Sequence, residues 1–516
     1  MASVNSTMYR YMREYRPKTD RETALVRGLR RMSYGRFYSA VDRIAGGLAA
    51  LGIRRGDVVM LALPAIEQGI AALYACSRLG AVASMIHPLM ARGEFEAAIA
   101  EQHPKVVFLS DINFARLGKG LKGVHRVVCP YGLGVCIGLP RPVPFTPFES
   151  DGSETALYMR SGGTSGTPKT VEISAAAANA VTGNLLDTLE DSFGKGDSML
   201  ATLPLFHAFG LLVGIHLPLC IDAPAVLMPV FGAKKVVRAV ARNKVTLMIA
   251  VPRMVHKLLG EKNFSGKNVR SLRYVYVGGD TVDAPLERAF AMRMQFSETN
   301  CKLAPGYGLT ETAGVCAVVN TIEAQRRCAA SLGVPLVNMR CRVVDENMRE
   351  LPVGETGELL LAGNQLMNGY LGDEEATREA FCTVDGERWL RTGDLFRIMP
   401  DGTLFFMGRK KRLIKISGMN VFPSEIERAA VELPFVERAA VIEVRENDKP
   451  YIALFCEGRL NDERVRELKR HIVRTLSHWH EPRYVIEVEA LPRTQIGKTD
   501  YTRLSDEFEK NRKKSS

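Results

Sequence analysis

A chain of 516 residues is longer than one compact core supports and implies two or three domains. Its composition, 46% hydrophobic and 24% charged, is that of a globular protein and not of a disordered one. The formal charge of +12 favours anionic ligands, but Lys and Arg are scattered and the densest clusters, GRKKRLIK at 408–415 and KNRKK at 510–514, are short. Without interleaved aromatics or a recognition module, nucleic acid is not an expected partner. Ten cysteines with no CxxC pair read as reduced thiols of a cytoplasmic enzyme and argue against zinc. The start, MASVNSTMYRYMREYRP, lacks the apolar core of a signal peptide. The most membrane-like window, 211–230, contains His216, Asp222 and three prolines, and reads as buried strands and turns.

In chain order, Phe37, Val41, Ile44, Leu48 and Leu51 recur at helical spacing and Gly52 closes the pattern. The strand-like VVMLALP, a helix around EQGIAALYACSRLG, the strand AVASMIH, the helix GEFEAAIAEQ and the strand KVVFLS follow. This alternation implies a parallel, helix-covered sheet. GLGVCIG at 132–138 has the flavour of a dinucleotide fingerprint but the wrong spacing, and runs into PRPVPFTPF, so it reads as linker.

YMRSGGTSGTPKTVEIS, residues 158–174, concentrates Gly162, Gly163 and Gly166 with the hydroxyls of Ser161, Thr164 and Ser165 and the cation of Lys169. Glycines let backbone N–H groups converge on an anion, hydroxyls add donors and lysine adds charge, which suits a phosphate-gripping loop. It is not a Walker A loop, because Pro168 precedes the lysine and a strand-like TVEIS follows. The alternative is a flexible turn between two strands. Thr170 follows the lysine, and Arg160 would add a phosphate contact or serve as surface charge.

Next, AAAANAVTGNLLDTLEDSF reads as a helix and MLATLPLF as a strand ending at His207. The helix AKKVVRAVARNK and the strands VTLMIAVP and LRYVYVGGD continue the alternation. Gly278 and Gly279 would bring backbone close to a ligand at the carboxyl edge of the sheet, or form a tight turn. In APGYGLTET, Tyr307 between Gly306 and Gly308, followed by Thr310 and Glu311, suits base stacking and a hard cation, or a turn capping a helix. Asp394, read as a turn residue after Thr392 and Gly393, is a candidate acceptor for ribose hydroxyls or an ordinary turn aspartate.

Four strings stand in one order: SGGTSGTPK, GYGLTET, TGDLFR with GRKKRLIK, and PRTQIGK. Together they resemble the signature motifs of the adenylate-forming superfamily, which includes acyl-CoA synthetases, firefly luciferases and peptide-synthetase adenylation domains. The resemblance spans residues 158–498 and implies an α/β fold. A large N-terminal domain of helix-covered, mostly parallel sheets (1–410) would carry a small mobile α+β lid (411–516). It further implies that Thr164 and the loop backbone hold the β- and γ-phosphates, and that Glu311 and Thr164 hold Mg²⁺, with Thr310 near the α-phosphate. Tyr307 would stack on adenine beside Gly279 and Asp280, Asp394 and Arg409 would bind the ribose, and Lys498 would reach carboxylate and α-phosphate. Lys411 would be the hinge, and Gly418 would line a thiol tunnel.

The same resemblance places His207 beside the acyl pocket, where amino-acid-activating relatives carry an aspartate, and Gly306 at the pocket end, leaving room for a bulky acyl group. The implied activity is an ATP-dependent acyl-CoA synthetase, acting on a fatty acid by expectation or on an aromatic acid, with CoA as co-substrate. The alternatives are a ligase that loads an acyl carrier protein in trans and a catalytically silent ATP- or acyl-adenylate-binding protein. RKKSS at the end is not a peroxisomal address. Membrane contact would be peripheral at most, and the chain a monomer or homodimer.

Overall fold

The computed structural model describes residues 3–16, 18–161, 168–189, 193–194, 196–319, 331–416, 419–446, 449–493 and 499–515. Thr164 and the other residues of the 162–167 segment, Gly418 and Lys498 lie outside them.

The first α/β unit forms a seven-stranded sheet around Val58–Ala62, Val82–Met85, Val106–Ser110 and Thr155–Arg160, which pair in parallel. Val58–Ala62 is buried at every position, the pattern of a strand covered on both faces, and its apolar run follows from that. Helices Tyr34–Ala50 and Glu67–Leu79 cover it, packed through Phe37, Val41, Ile44 and Tyr74. The second unit is a nine-stranded sheet in which Met199–Ala201, Leu247–Ala250, Tyr274–Val277 and Lys302–Tyr307 run parallel.

A third, five-stranded sheet is antiparallel throughout and includes Thr356–Gly363, Glu387–Ile398 and Leu404–Arg409. The C-terminal part has its own apolar core around Ile426, Val441, Leu454 and Leu468. There the strands Val436–Glu446, Lys449–Gly458 and Tyr484–Val488 form one sheet, with helices Pro423–Ala430 and Asp462–Thr475. The whole is a large α/β part of mostly parallel sheets followed by a small α+β domain.

Two readings around His207 differ from the structure. The strand predicted to end at His207 stops at Ala201, and the window predicted as strands and turns opens with a π-helix, Phe209–His216, continued by Leu217–Cys220. Every residue from Phe209 to Cys220 is buried, so an apolar run shows no periodicity that separates helix from strand. His216 within it shares hydrogen bonds with Tyr74 (Nδ1, 2.8 Å) and Asn179 (Nε2, 3.2 Å). No helix among the described residues is long and apolar enough to cross a membrane.

Candidate active site

The carboxyl ends of the central strands open into a cavity of about 1070 Å³ that reaches the C-terminal domain. Every described candidate lines it: Ser161, Lys169, His207, Gly278, Gly279, Asp280, Gly306, Tyr307, Gly308, Thr310, Glu311, Asp394, Arg409 and Lys411. Strands Tyr274–Val277 and Lys302–Tyr307 deliver their C-terminal residues to one edge, the place where open parallel sheets bind ligands.

The described ends of the loop motif, Ser161 and Lys169, adjoin the antiparallel strands Thr155–Arg160 and Thr170–Ser174, with Arg160 opposite Thr170. Ser161 N–H donates to Lys169 O (2.8 Å), and Lys169 N–H donates to Ser161 Oγ (3.0 Å). Arg160 is therefore a brace: its guanidinium donates to Glu101 (2.9 Å) and to the Pro168 carbonyl (3.0 Å).

Beside the loop, Tyr370 is a site residue that sequence reasoning missed. Its hydroxyl donates to Glu311 Oε1 at 2.9 Å, while Lys169 Nζ lies 4.8 Å from its ring centroid and 3.7 Å from Asp373. Glu311 is aimed by a partner some sixty positions on, because strand Gly369–Tyr370 pairs with Thr170–Ser174. The signal was present in Gly369-Tyr370-Leu371-Gly372, an aromatic flanked by glycines much as Tyr307 is.

Asp394 lies inside strand Glu387–Ile398 and not on a turn. A bulge there sets it opposite Arg409 of strand Leu404–Arg409. Its side chain is fully buried; one oxygen accepts from the Tyr307 hydroxyl at 2.7 Å and the other lies 3.2 Å from Arg409 Nε. The Tyr307 ring packs edge-on to Phe396 at 4.7 Å, and burial pushes its hydroxyl well above the ordinary phenol value. The tyrosine therefore stays a neutral donor.

Gly279 holds a positive φ of +84°, which a side chain would strain, and Asp280 follows it exposed on the rim. A Cβ on Gly306 would come 3.0 Å from the Ala317 carbonyl, so the paired strand Ala317–Val318 leaves little room for a side chain there. His207 precedes the π-helix, half-buried, beside Phe206, whose ring centroid lies 4.3 Å from that of His87. Deeper in, the lining residues Leu185, Phe193, Phe209, Val213 and Tyr276 are each nearly excluded from solvent. Among the buried described lining residues, Asp394 is the one charged side chain.

Four consecutive cations, Arg409 to Arg412, close strand Leu404–Arg409 and continue past it. Arg409 holds Asp394, Lys410 holds the buried Glu358 at 2.7 Å together with Arg391 at 3.0 Å, and Arg412 holds Glu427 at 2.7 Å. Lys411 is exposed and has no ion pair among the described residues. Burial pushes the Glu358 carboxyl up, but hydrogen bonds from Arg391 and Lys410 outweigh it and hold the group below the usual carboxylate range. Arg412 also covers the Tyr501 ring, and Arg493 and Thr499, which flank the segment containing Lys498, line the cavity.

The described residues contain no cluster of three or more metal-ligating side chains. One carboxylate, Glu311, with the Thr310 hydroxyl nearby, fits a Mg²⁺ that arrives mostly coordinated by nucleotide phosphates.

Comparison with known proteins agrees with this geometry. The family model described as AMP-binding enzyme matches residues 13–371, and that described as AMP-binding enzyme C-terminal domain matches residues 425–498. Indoleacetate–CoA ligase of Aromatoleum aromaticum is 31% identical over 91% of this chain and 92% of its own length. 4-Coumarate–CoA ligase-like 8 of Arabidopsis thaliana is 30% identical over 91% and 86%. Among solved structures, ATP-bound MatB from Rhodopseudomonas palustris superposes with a TM-score of 0.87 at 22% identity, covering 98% and 99% of the two chains. With its large and C-terminal segments both matched and described residues of each motif lining one cleft, this chain belongs to the AMP-binding enzyme family.

Proposed function

We propose that the chain is an AMP-forming acid–CoA ligase that activates an apolar monocarboxylic acid as its acyl-adenylate and passes the acyl group to the thiol of CoA. The observation that carries this reading is the single cavity. It joins the Tyr307–Asp394–Arg409 cluster and the Lys169–Tyr370–Glu311 cluster to an apolar interior. The names of these relatives, an indoleacetate–CoA ligase and a 4-coumarate–CoA ligase-like protein, support an aryl-bearing acid over a fatty one. Among the buried described lining residues there is no cation for a second carboxylate, which argues against a dicarboxylic substrate.

In this reading Tyr307 and Asp280 flank the base, and Asp394 with Arg409 meets the ribose. The Gly-rich loop, whose described ends are joined by Ser161, Lys169 and Arg160, is assigned to the phosphates. The acid is already ionised at neutral pH, so its oxygen attacks the α-phosphorus without a general base and pyrophosphate leaves. Negative charge grows on the phosphoryl oxygens, and Lys498 is assigned to stabilise it. Glu311 and Thr164 would hold Mg²⁺, which when bound neutralises charge on the leaving pyrophosphate. The C-terminal domain, divided from the rest near residue 410, would then turn about Lys411 and bring Gly418 toward an incoming thiol.

The test is carboxylate-dependent ATP–pyrophosphate exchange with aryl-acetic, cinnamic-type, fatty, dicarboxylic and amino acids, followed by thioester formation with CoA or an acyl carrier protein. Exchange with aryl acids that disappears in Lys498→Ala, and thioester formed on CoA, is the expected result. Preference for fatty acids would shift the substrate class; transfer to carrier protein alone would replace the acceptor. Binding of Mg-ATP with no exchange for any acid would mark a silent nucleotide-binding protein.

A further inference from the structure

The linker motif GLGVCIG, at 132–138, has no part in the cleft, yet it contributes one member of a close thiol pair. Val128, in the edge strand His125–Cys129 of the seven-stranded sheet, exchanges both backbone hydrogen bonds with Ile137 at 2.8 Å. An antiparallel hydrogen-bonded pair makes its neighbours, Cys129 and Cys136, a non-hydrogen-bonded pair. That is the register in which opposed Cα atoms come to about 4.5 Å and side chains are closest. Such a spacing falls within the range that a disulfide spans without backbone movement. The sulfurs are 3.4 Å apart, with the Cys129 thiol donating to Cys136 Sγ.

The two sulfurs are also chemically unequal. Cys129 is fully buried, whereas Cys136 is half-buried on an extended segment whose neighbours Val135 and Ile137 face solvent. The hydrogen bond from Cys129 and the positive charge of Arg43 hold the Cys136 thiol below its ordinary value. Burial pushes Cys76, Cys220, Cys301, Cys341 and Cys456 up to about 12 and raises Cys316 and Cys382 as well, so Cys136 is set apart among the described thiols.

We propose that Cys129 and Cys136 are a reversible modification site that forms an intramolecular disulfide on exposure to hydrogen peroxide. The Cys136 thiolate attacks a peroxide oxygen, the O–O bond breaks, and the departing hydroxide takes up a proton as water, leaving a sulfenic acid. The Cys129 sulfur then attacks Cys136 Sγ; the S–S bond forms, the S–O bond breaks, and the hydroxyl leaves with the Cys129 proton as a second water. Two thiols are oxidised by two electrons and one peroxide is reduced. The product closes the 130–135 turn covalently against the edge strand.

The test uses the full-length reduced protein, a small molar excess of hydrogen peroxide, alkylation of remaining thiols and tryptic mass analysis. Residues 127–160 form one tryptic peptide, because Pro142 follows Arg141, and Cys129 and Cys136 are its two cysteines. That peptide should become unalkylatable and lighter by two hydrogens than its reduced form, and dithiothreitol should reverse the change. Cys129→Ser should stop at a Cys136 sulfenic acid that dimedone captures. Cys136→Ser, at the more exposed position, should leave Cys129 unmodified and serves equally if the first variant fails to fold. Addition of oxygen without loss of two hydrogens, preferential oxidation of another cysteine, or a cross-link between chains would overturn the proposal.

Discussion

The hydroxyl of Tyr307 donates to the buried carboxylate of Asp394 at 2.7 Å, across 87 residues of sequence. The aromatic assigned to the base and the carboxylate assigned to the ribose are therefore one hydrogen-bonded unit, and each fixes the other's orientation.

Tyr307→Phe keeps the ring and removes that donor. It should cost about 1–3 kcal/mol of stability and raise the KM for ATP with little change in kcat, read by urea unfolding and pyrophosphate exchange. Asp394→Ala should be worse on both counts, because it strips partners from Tyr307 and Arg409 together. A drop in kcat at constant KM would place the pair in the chemical step.

Tyr370→Phe separates two roles that the sequence does not. The ring over which Lys169 sits remains, but the hydrogen bond to Glu311 is lost. The expected outcome is a several-fold rise in the Mg²⁺ concentration needed for half-maximal exchange. An unaltered Mg²⁺ dependence would remove Glu311 from the metal site.

Glu358 supplies an acid-sensitive contact at the base of the C-terminal domain. Its carboxyl is lowered in the folded protein, so its stabilisation is present above the unfolded value of about 4.3 and is lost as pH falls through the folded value. Glu358→Gln should lower stability at pH 7 by about 1–3 kcal/mol, with the gap from the parent closing under acid. Equal losses at every pH from 7 to 3 would show that the ionic form contributes nothing.

His216 acts in the opposite charge sense but with the same sign in pH. Burial holds its pKa down at about 3, so it is neutral in the folded protein while the unfolded chain protonates near 6.5. Stability should fall below pH 6.5 by up to about 1.4 kcal/mol per pH unit from this group. His216→Gln should be less stable at pH 7.5 and flatter between pH 7 and 5 in thermal unfolding. Parallel curves would assign the acid sensitivity elsewhere.

These long-range partnerships mark the limit of what the sequence shows. The parallel strands were legible because burial on both faces demands unbroken apolar runs such as Val58–Ala62, and helix Tyr34–Ala50 because Phe37, Val41 and Ile44 repeat at its period. The described glycines, hydroxyls and carboxylates that line the cleft stood out in the sequence because they are the types that phosphate and metal binding favour. Tyr370 and Glu358 were not, since each gains its role from a strand pairing that links distant segments. The π-helix was hidden for a different reason: a segment buried on every side carries no polar face to reveal its turn.

The run Arg409–Arg412 has a mechanical consequence. Its first two cations are clamped to carboxylates of the large domain, its last to a carboxylate of the small one, and Lys411 between them is clamped to neither among the described residues. In the proposed turn of the small domain, a single residue so placed would serve as an axle between two bearings. Torque applied to the small domain would concentrate in two backbone dihedrals, while the nucleotide-facing arginine on one side and the Glu427 anchorage on the other stay seated.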